Sequence, residues 1–506
     1  MRISDVPALA CAVALAACGG LPGAPTQLPA LTAAPLTTDK TLSLVHAIEL
    51  QPASPPSDPK SLTALLADGW GATQVGGGQA VTGHTVDGSA APAPSAAPTL
   101  LTRFFHLADT QLADDESPSR VVDYDTPGAT YGAFRPQESW MCRVLNAAVR
   151  TVNKVHETSP VDFVVLGGDN SDNAQKNEVE WFLSILDGSP YVKCDSGDVD
   201  DPVKGPDNDP KDAFIADGLK MPWRWVTGNH DVLNQGNFPV ADKSAGYLGT
   251  TDDAGTRTWK KLNLPTLHEG IVADPMREAN DRRSLMAAVA ADGDGHGIGA
   301  SSMASGKAFY HFDVGSSVRI VVLDTAAETG GADGVLHRAD LMSDVQPALE
   351  EAEAQGRYVI LVSHHGPTTL SQGSDLGGTL QADAVLTEEW RTFLAGYPHV
   401  MLHLGAHTHL FRVAVSGTAA THRFFEAETG SLADWPGELR KFELWEHDAF
   451  IEIRGVPVDF SDEGDPLVTE ARRRQAADFT SGWVDATVGP GADDSRAVSL
   501  WFPKMK

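Results

Sequence analysis

Short apolar runs that stop abruptly at a polar motif recur along this chain. Residues 101–107 run into Ala108-Asp109-Thr110-Gln111, and 161–166 into Gly167-Gly168-Asp169-Asn170. Residues 223–227 lead to Gly228-Asn229-His230-Asp231, 358–363 to Ser363-His364-His365-Gly366, and 400–404 to Ala406-His407-Thr408-His409. Runs of this length and composition are predicted to be buried strands. Between the first two, Trp140, Met141, Val144, Leu145, Ala148, Val149, Val152 and Val155 fall at helical spacing, so 137–156 is predicted to be an amphipathic helix. Val179, Phe182, Leu183 and Leu186 mark another, closed by Gly188. Strand, loop motif, helix, strand is the order expected of an α/β fold with ligands at the carboxyl ends of strands.

The later half is richer in strands, predicted at 308–313, 318–323, 411–415, 422–428 and 442–453, with a helix over 340–354. Residues 470–475 suggest a short surface helix followed by a poorly ordered tail. Two insertions interrupt the pattern. The stretch 195–212 is rich in Asp, Pro and Gly, and its spacing does not match a calcium loop; 235–306 is long and irregular, placed to wall a cleft. No internal repeat is visible, so one catalytic domain is expected over 99–460, with 461–506 as a C-terminal extension. Before it, 19–98 is Pro-, Ala- and Gly-rich with few aromatics and is expected to be a largely disordered tether, carrying at most a weak strand within 41–50.

Composition narrows the class. The chain has 506 residues, 42% of them hydrophobic, enough to bury a sizeable core. Its 38 Lys+Arg against 68 Asp+Glu give a net charge of -30, a field that repels polyanions; no nucleic-acid partner is expected. At the N-terminus Arg2, an apolar run over 6–17 and then Ala16-Ala17-Cys18-Gly19 resemble a bacterial lipoprotein signal, too short to span a bilayer. Residues 1–18 are read as that signal, with Cys18 lipidated and the protein exported and held at a membrane surface, periplasmic or on the cell surface. Cys142 and Cys194 then remain, and an oxidising compartment would let them pair if their spacing allows.

The five motifs supply carboxylates, amide oxygens and imidazoles, the mixed donor set that two adjacent divalent ions require. Asp169 is the natural bridge, since an anionic ligand must offset the repulsion between the ions. Asp109, Gln111 and His409 would complete one ion's protein ligands, and Asn229, His364 and His407 the other's. His230 is placed beside the substrate, to stabilise developing charge and protonate the leaving oxygen, with Asp231 as its orienting carboxylate. The reaction expected is attack of metal-activated water on a phosphate mono- or diester of a small molecule or lipid.

These motifs, in this order, resemble the calcineurin-like metallophosphoesterase superfamily, whose pattern is Asp-x-His, Gly-Asp, Gly-Asn-His-Asp/Glu, His, then Gly-His-x-His. The resemblance covers about residues 104–412. It implies a four-layer α/β/β/α sandwich of two mixed sheets flanked by helices, and the same residue roles. Between His364 and His365 it favours His364, which follows the strand directly in the family pattern. The stretches 104–118, 331–334 and 434–436 also look like a bacterial exported subgroup. Two departures stand out. Gln111 replaces the usual His with a neutral amide oxygen, which shifts the expected metal toward manganese, with iron, zinc or magnesium as alternatives. Ala406 replaces the usual Gly. Gln111 also motivates a second reading, a non-catalytic lipoprotein with a degenerate metal site.

Overall fold

Apolar side chains on successive positions of the central strands are buried on both strand faces, and this decides the architecture. The computed structural model describes residues 25–505 except 36, 121, 123–124, 129, 241–247, 251–255, 259–265, 292, 376 and 485–488; the expected signal over 1–18 lies outside the described residues. In chain order the elements that build the domain begin with α1 (Pro59–Ala67), β1 (Thr82–Thr85), β2 (Thr99–Leu107) and α2 (Met141–Thr158). Next come β3 (Phe163–Leu166), α3 (Lys176–Asp187), β4 (Trp223–Arg224), β5 (Tyr310–Val314) and β6 (Val318–Val322). Then follow α4 (Gln346–Ala354), β7 (Tyr358–Val362), α5 (Thr387–Leu394), β8 (Val400–Gly405), β9 (Arg412–Ser416) and β10 (Phe424–Glu428). The chain closes with β11 (Glu438–Glu446), β12 (Phe450–Asp459), α6 (Pro466–Thr480) and β13 (Val498–Pro503).

One sheet has the order β1-β13-β12-β11-β2-β3-β4 and the other β5-β6-β7-β8-β10-β9. Strands β2, β3 and β4 are mutually parallel, as are β6, β7, β8 and β10. Val318, Ile320 and Val322 of β6 face the core between the sheets, with Phe104, Phe163 and Phe442 from the other sheet. Val321 and Leu323 face outward, against Leu341, Val345 and Leu349 beside and within α4 and Trp390 and Leu394 of α5. Helices α2 and α6 cover the outer face of the first sheet. The result is the expected four-layer sandwich.

An aromatic ladder sets the register at its centre. Phe104 pairs across β2 with Phe163 on one side and Phe442 on the other, with rings stacked at 5.0 and 5.2 Å. Phe312 of β5 meets Phe163 edge-on at 5.2 Å and so joins the two sheets.

Several expectations give way. The described part of 19–98 is no free tether. Asp58 caps α1 by accepting from Lys60 N and Ser61 N, Pro59 opens the helix, and Leu62 and Leu65 are buried. Strand β1 pairs in parallel with β13. Average composition hid a local cap and two well-placed leucines. The strand expected in 41–50 shortens to Leu42–Leu44, paired with Thr73–Val75. The single strand expected over 442–453 is a hairpin, β11 and β12, turning at His447, whose N–H donates to Phe450 O at 2.8 Å. Beyond 460, α6 is a full helix and β13 lies between β1 and β12, not in a loose tail. Buried Arg472, Gln475 and Asp478 blurred the apolar period of α6.

The insertions are partly ordered as well. Cys142 of α2 and Cys194 are disulfide-bonded, with Cα atoms 6.6 Å apart, which ties the start of 195–212 to the domain. Within 235–306, helices cover Arg282–Val289 and Ala300–Ser305, with Leu285, Met286 and Val289 buried. No described helix is long and apolar enough to cross a membrane.

Phe163→Ala removes the ring shared by both sheets and is expected to cost about 3–5 kcal/mol of unfolding free energy. Equilibrium denaturation in guanidinium measures it, and a loss below about 1 kcal/mol would mean that the ladder is not the joint between the sheets.

Candidate metal centre

The carboxyl ends of the parallel strands in both sheets open onto one edge of the sandwich, and the five motifs lie there. Three of them follow their strands with a sharp backbone reversal. Asp109 (φ 50°), Gln111 (φ 44°), Asp169 (φ 52°), His407 (φ 68°) and His409 (φ 56°) all occupy the left-handed region, which side-chain-bearing residues rarely adopt. Backbone bonds stitch the first two loops together: Asp109 N–H donates to Gly168 O at 3.1 Å and Gln111 N–H to Asp169 O at 2.8 Å. Gly228 is required by proximity, because a Cβ there would lie 2.1 Å from Asp169 Oδ1. Ala406 is fully buried and lies outside the left-handed region, so its methyl is accommodated without strain.

All seven residues expected to ligate are brought together. Donor atoms of Asp109, Asp169 and His364 lie within 4.8 Å of one another, as do those of His364, His365 and His407. His409 Nε2 is 3.2 Å from Asp109 Oδ1, and His364 Nε2 is 3.2 Å from Asp169 Oδ2 and 3.0 Å from Asn229 Oδ1. Asn229 Nδ2 donates to Gly236 O at 3.0 Å, which turns its oxygen inward. Gln111 Nε2 reaches Asp169 Oδ2 at 3.5 Å, while Gln111 Oε1 is buried with no hydrogen-bond partner. A buried, unsatisfied amide oxygen next to two carboxylates is what a missing cation leaves behind. The donor set therefore fits divalent metal ions.

His364 and His365 are distinguished by their second nitrogens. His364 Nδ1 donates to Gly167 O at 2.7 Å, leaving Nε2 for the centre. His365 donates from Nε2 to Ala332 O at 2.8 Å and meets Thr325 Oγ1 through Nδ1 at 3.0 Å, so both of its nitrogens are engaged elsewhere.

The orienting role expected of Asp231 falls to another residue. Asp231 accepts backbone N–H bonds from Asn170, Ser171 and Gly228 at 2.9, 3.0 and 2.8 Å, knitting the second and third loops around Asp169. Its short side chain points back under the loop, while His230 projects forward. His230 Nδ1 instead faces Asp172, 2.8 Å from its carbonyl oxygen and 3.3 Å from Oδ1. A second carboxylate three residues after Asp169 was the sequence signal for this. His409 has a counterpart in Asp434, whose Oδ2 lies 2.5 Å from Nδ1 and directs Nε2 at Asp109. Asp434 is 25 residues downstream of His409, beyond the reach of any spacing argument.

Burial dominates the electrostatics. Burial alone would raise Asp169, yet the imidazoles of His364, His230 and His407 hold it well below the usual carboxylate range. Burial likewise opposes protonation of His364, but Asp169 outweighs it and the imidazole is pushed up to about 9. His409, next to Asp109 and Asp434, is pushed up to about 10 against the same opposition. Burial lowers His230 to about 4 and raises Asp231 to about 7.

The calcineurin-like phosphoesterase family model matches residues 102–411. A search of curated proteins finds no match. Among solved structures, the chain is similar to a dimetal phosphatase from Danio rerio at 13% identity, covering 72% of this chain and 100% of that one with a TM-score of 0.39. PhoD matches at 11% identity over 86% and 89% of the two chains, with a TM-score of 0.34. GAP50, the anchor in the inner membrane complex of Plasmodium, matches at 14% identity over 74% and 94%, with a TM-score of 0.27.

Protons compete with cations here. A neutral imidazole is the form that ligates, and His364 and His409 stay protonated up to about 9 and about 10 when no metal is bound. Metal uptake is therefore expected to release protons and to tighten as pH rises from about 6 toward about 9. Calorimetric titration in buffers of different ionisation enthalpy measures both; an affinity flat across that range would contradict the pairing.

Proposed function

This chain belongs to the calcineurin-like phosphoesterase family, and on that premise we propose that it is an exported, lipid-anchored phosphoesterase using two divalent ions, manganese foremost. The phosphate-ester hydrolase activity is the family's; export, anchoring, the metal and the substrate are the additions. One observation carries the reading: side chains from both sheets converge on the buried carboxylate of Asp169. The N-terminal pattern ending at Cys18 supports export, and the Cys142–Cys194 disulfide fits an oxidising compartment.

Asp109, Gln111 and His409 would hold one ion and Asn229, His364 and His407 the other, with Asp169 shared. When bound, the ions supply an activated water and neutralise charge on the phosphoryl oxygens. The protein's own share is geometric. The main-chain carbonyl of Asp172, with its carboxylate close by, fixes Nδ1 of His230 as the protonated nitrogen and leaves Nε2 toward the cleft, where the side chain is 15% exposed. An arriving phosphate anion offsets the burial that disfavours the imidazolium, so His230 can carry a proton to the leaving oxygen. The substrate is a phosphorylated small molecule or lipid headgroup, monoester or diester, which the acidic surface admits more readily than a nucleic acid.

Manganese-loaded protein is expected to cleave generic aryl phosphate monoesters or diesters. His230→Ala should lower kcat by about 10²–10⁴-fold with metal content unchanged, and Asp169→Asn should lose both activity and one ion. Wild-type turnover in the Asp169 variant removes the bridging role; one tightly held ion in the native chain, with no hydrolysis across a substrate panel, favours a non-catalytic lipoprotein with a degenerate metal site.

Asp172→Asn and Asp231→Asn separate the two carboxylates. The first is expected to cut kcat by about 10-fold with the fold intact. The second disturbs the loops that seat Asp169 and should weaken metal retention instead. Metal analysis beside steady-state kinetics distinguishes them, and equal effects on both readouts would undo the reassignment.

A further inference from the structure

The carboxylate behind His409 and the carboxylate behind His230 lie on opposite sides of one guanidinium. Arg135 is buried, its side chain 4% exposed. Its Nε donates to Asp434 Oδ1 at 2.8 Å and Nη2 to Asp434 Oδ2 at 3.4 Å, while Nη1 lies 3.8 Å from Asp172 Oδ1. Arg120 grips the same assembly from behind, donating to Asp172 Oδ2 and to Glu138 Oε2. Glu138 Oε2 also accepts from Arg135 N at 3.2 Å, so the backbone carrying the guanidinium is held in turn.

The turn that presents Asp434 is tied to the first metal loop. Leu432 N–H donates to Ala108 O at 3.0 Å, Ala433 N–H to Asp109 O at 3.1 Å, and Ser431 Oγ to Asp109 O at 2.9 Å. Gln137, two residues after Arg135, donates to Ala433 O at 2.8 Å. The segment around Arg135 thus grips the Asp434 turn twice, through backbone and through charge.

We propose that Arg135 is a positioning residue that couples the two halves of the centre, seating His409 on its ion through Asp434 and His230 on the substrate through Asp172. The coupling rests on the two-ion reading above. A planar fork is suited to the task because its nitrogens can address two carboxylates from one fixed plane. A lysine ammonium in the same space would reach one of them. Asp434 Oδ2 meets both Arg135 Nη2 and His409 Nδ1, and Asp172 Oδ1 faces both Arg135 Nη1 and His230 Nδ1, so a shift of the guanidinium moves the anions behind both imidazoles together.

The test uses the full chain with manganese as the probe and three variants. Arg135→Ala is expected to lower the affinity for one of two manganese ions by about 10–100-fold and to lower kcat by a similar factor, with KM little changed. Free guanidinium should restore part of both losses. Arg135→Lys keeps the charge but loses the fork, and is expected to show the same pattern in milder form; it carries the test if the alanine variant does not fold. Arg319→Ala removes an equally buried arginine paired with Asp313 and Glu351 far from the centre, and should lower the melting temperature while leaving two ions and kcat in place. Both ions and wild-type kcat in folded Arg135→Lys, or losses matched by Arg319→Ala, overturn the coupling alone. A wild-type chain that binds no second manganese ion overturns the two-ion reading, and the coupling falls with it.

Discussion

A carboxylate buried where five loops meet is the constraint on which this structure depends. Asp169 is 1% exposed and sits in a left-handed backbone. Its Oδ1 accepts the His230 N–H at 2.8 Å, and its Oδ2 faces His364 Nε2 at 3.2 Å. Removing such a charge from water costs several kcal/mol unless opposite charge and donors surround it. Asp169 can therefore exist only if the Gly228 loop approaches without a Cβ and the His364 and His407 loops deliver imidazoles. Asp231 serves the same end from below, spending its oxygens on the backbone that seats Asp169.

The two sheets exist in this relation because the ligands are divided between them. Asp109, Asp169 and Asn229 follow β2, β3 and β4 of one sheet, whereas His364, His407 and His409 follow β7 and β8 of the other. A shift of one residue in either sheet would turn its motif away from the shared edge. The Phe163–Phe104–Phe442 ladder and the edge contact of Phe312 fix that register at the centre of the sandwich. Core packing and site geometry are in this sense one problem, since the stacked rings at the centre of the sandwich also hold the strand ends level.

What could be read from the residues follows from the same division. Strands buried on both faces are continuous apolar runs, and each stops where a polar ligand must begin, so β3, β6, β7 and β8 and their motifs stand out in the sequence. Elements stabilised by backbone pairing or buried polar groups do not. Strand β1 is Thr-Gly-His-Thr, and its place beside β13 depends on an edge that no periodicity announces. Helix α6 buries Arg472, whose guanidinium lies over Phe460 at 3.9 Å, so a charged residue occupies a core position. In the site, residues that point directly at the centre sit at strand ends in recognisable order. Those that orient them, Asp172, Asp434 and Arg135, come from separate loops and are joined only by the fold. Asp231 is the nearer carboxylate to His230 along the chain, but the loop after Gly228 turns it inward.

Charge explains why cations are integral to recognition as well as to reaction. The chain carries a net charge of -30, and Asp109, Asp169, Asp172, Asp231 and Asp434 crowd the centre itself. A phosphate anion approaching that surface meets repulsion at long range, screened only beyond about 8 Å at physiological ionic strength. The arginines nearby do not reverse this locally, because Arg120 and Arg135 are buried against Asp172 and Asp434. Two divalent ions seated among the carboxylates would invert the sign where a phosphoryl group would dock. The fold thus keeps its own cations turned toward its own carboxylates, and the attraction of substrate would fall to the metal ions these side chains hold.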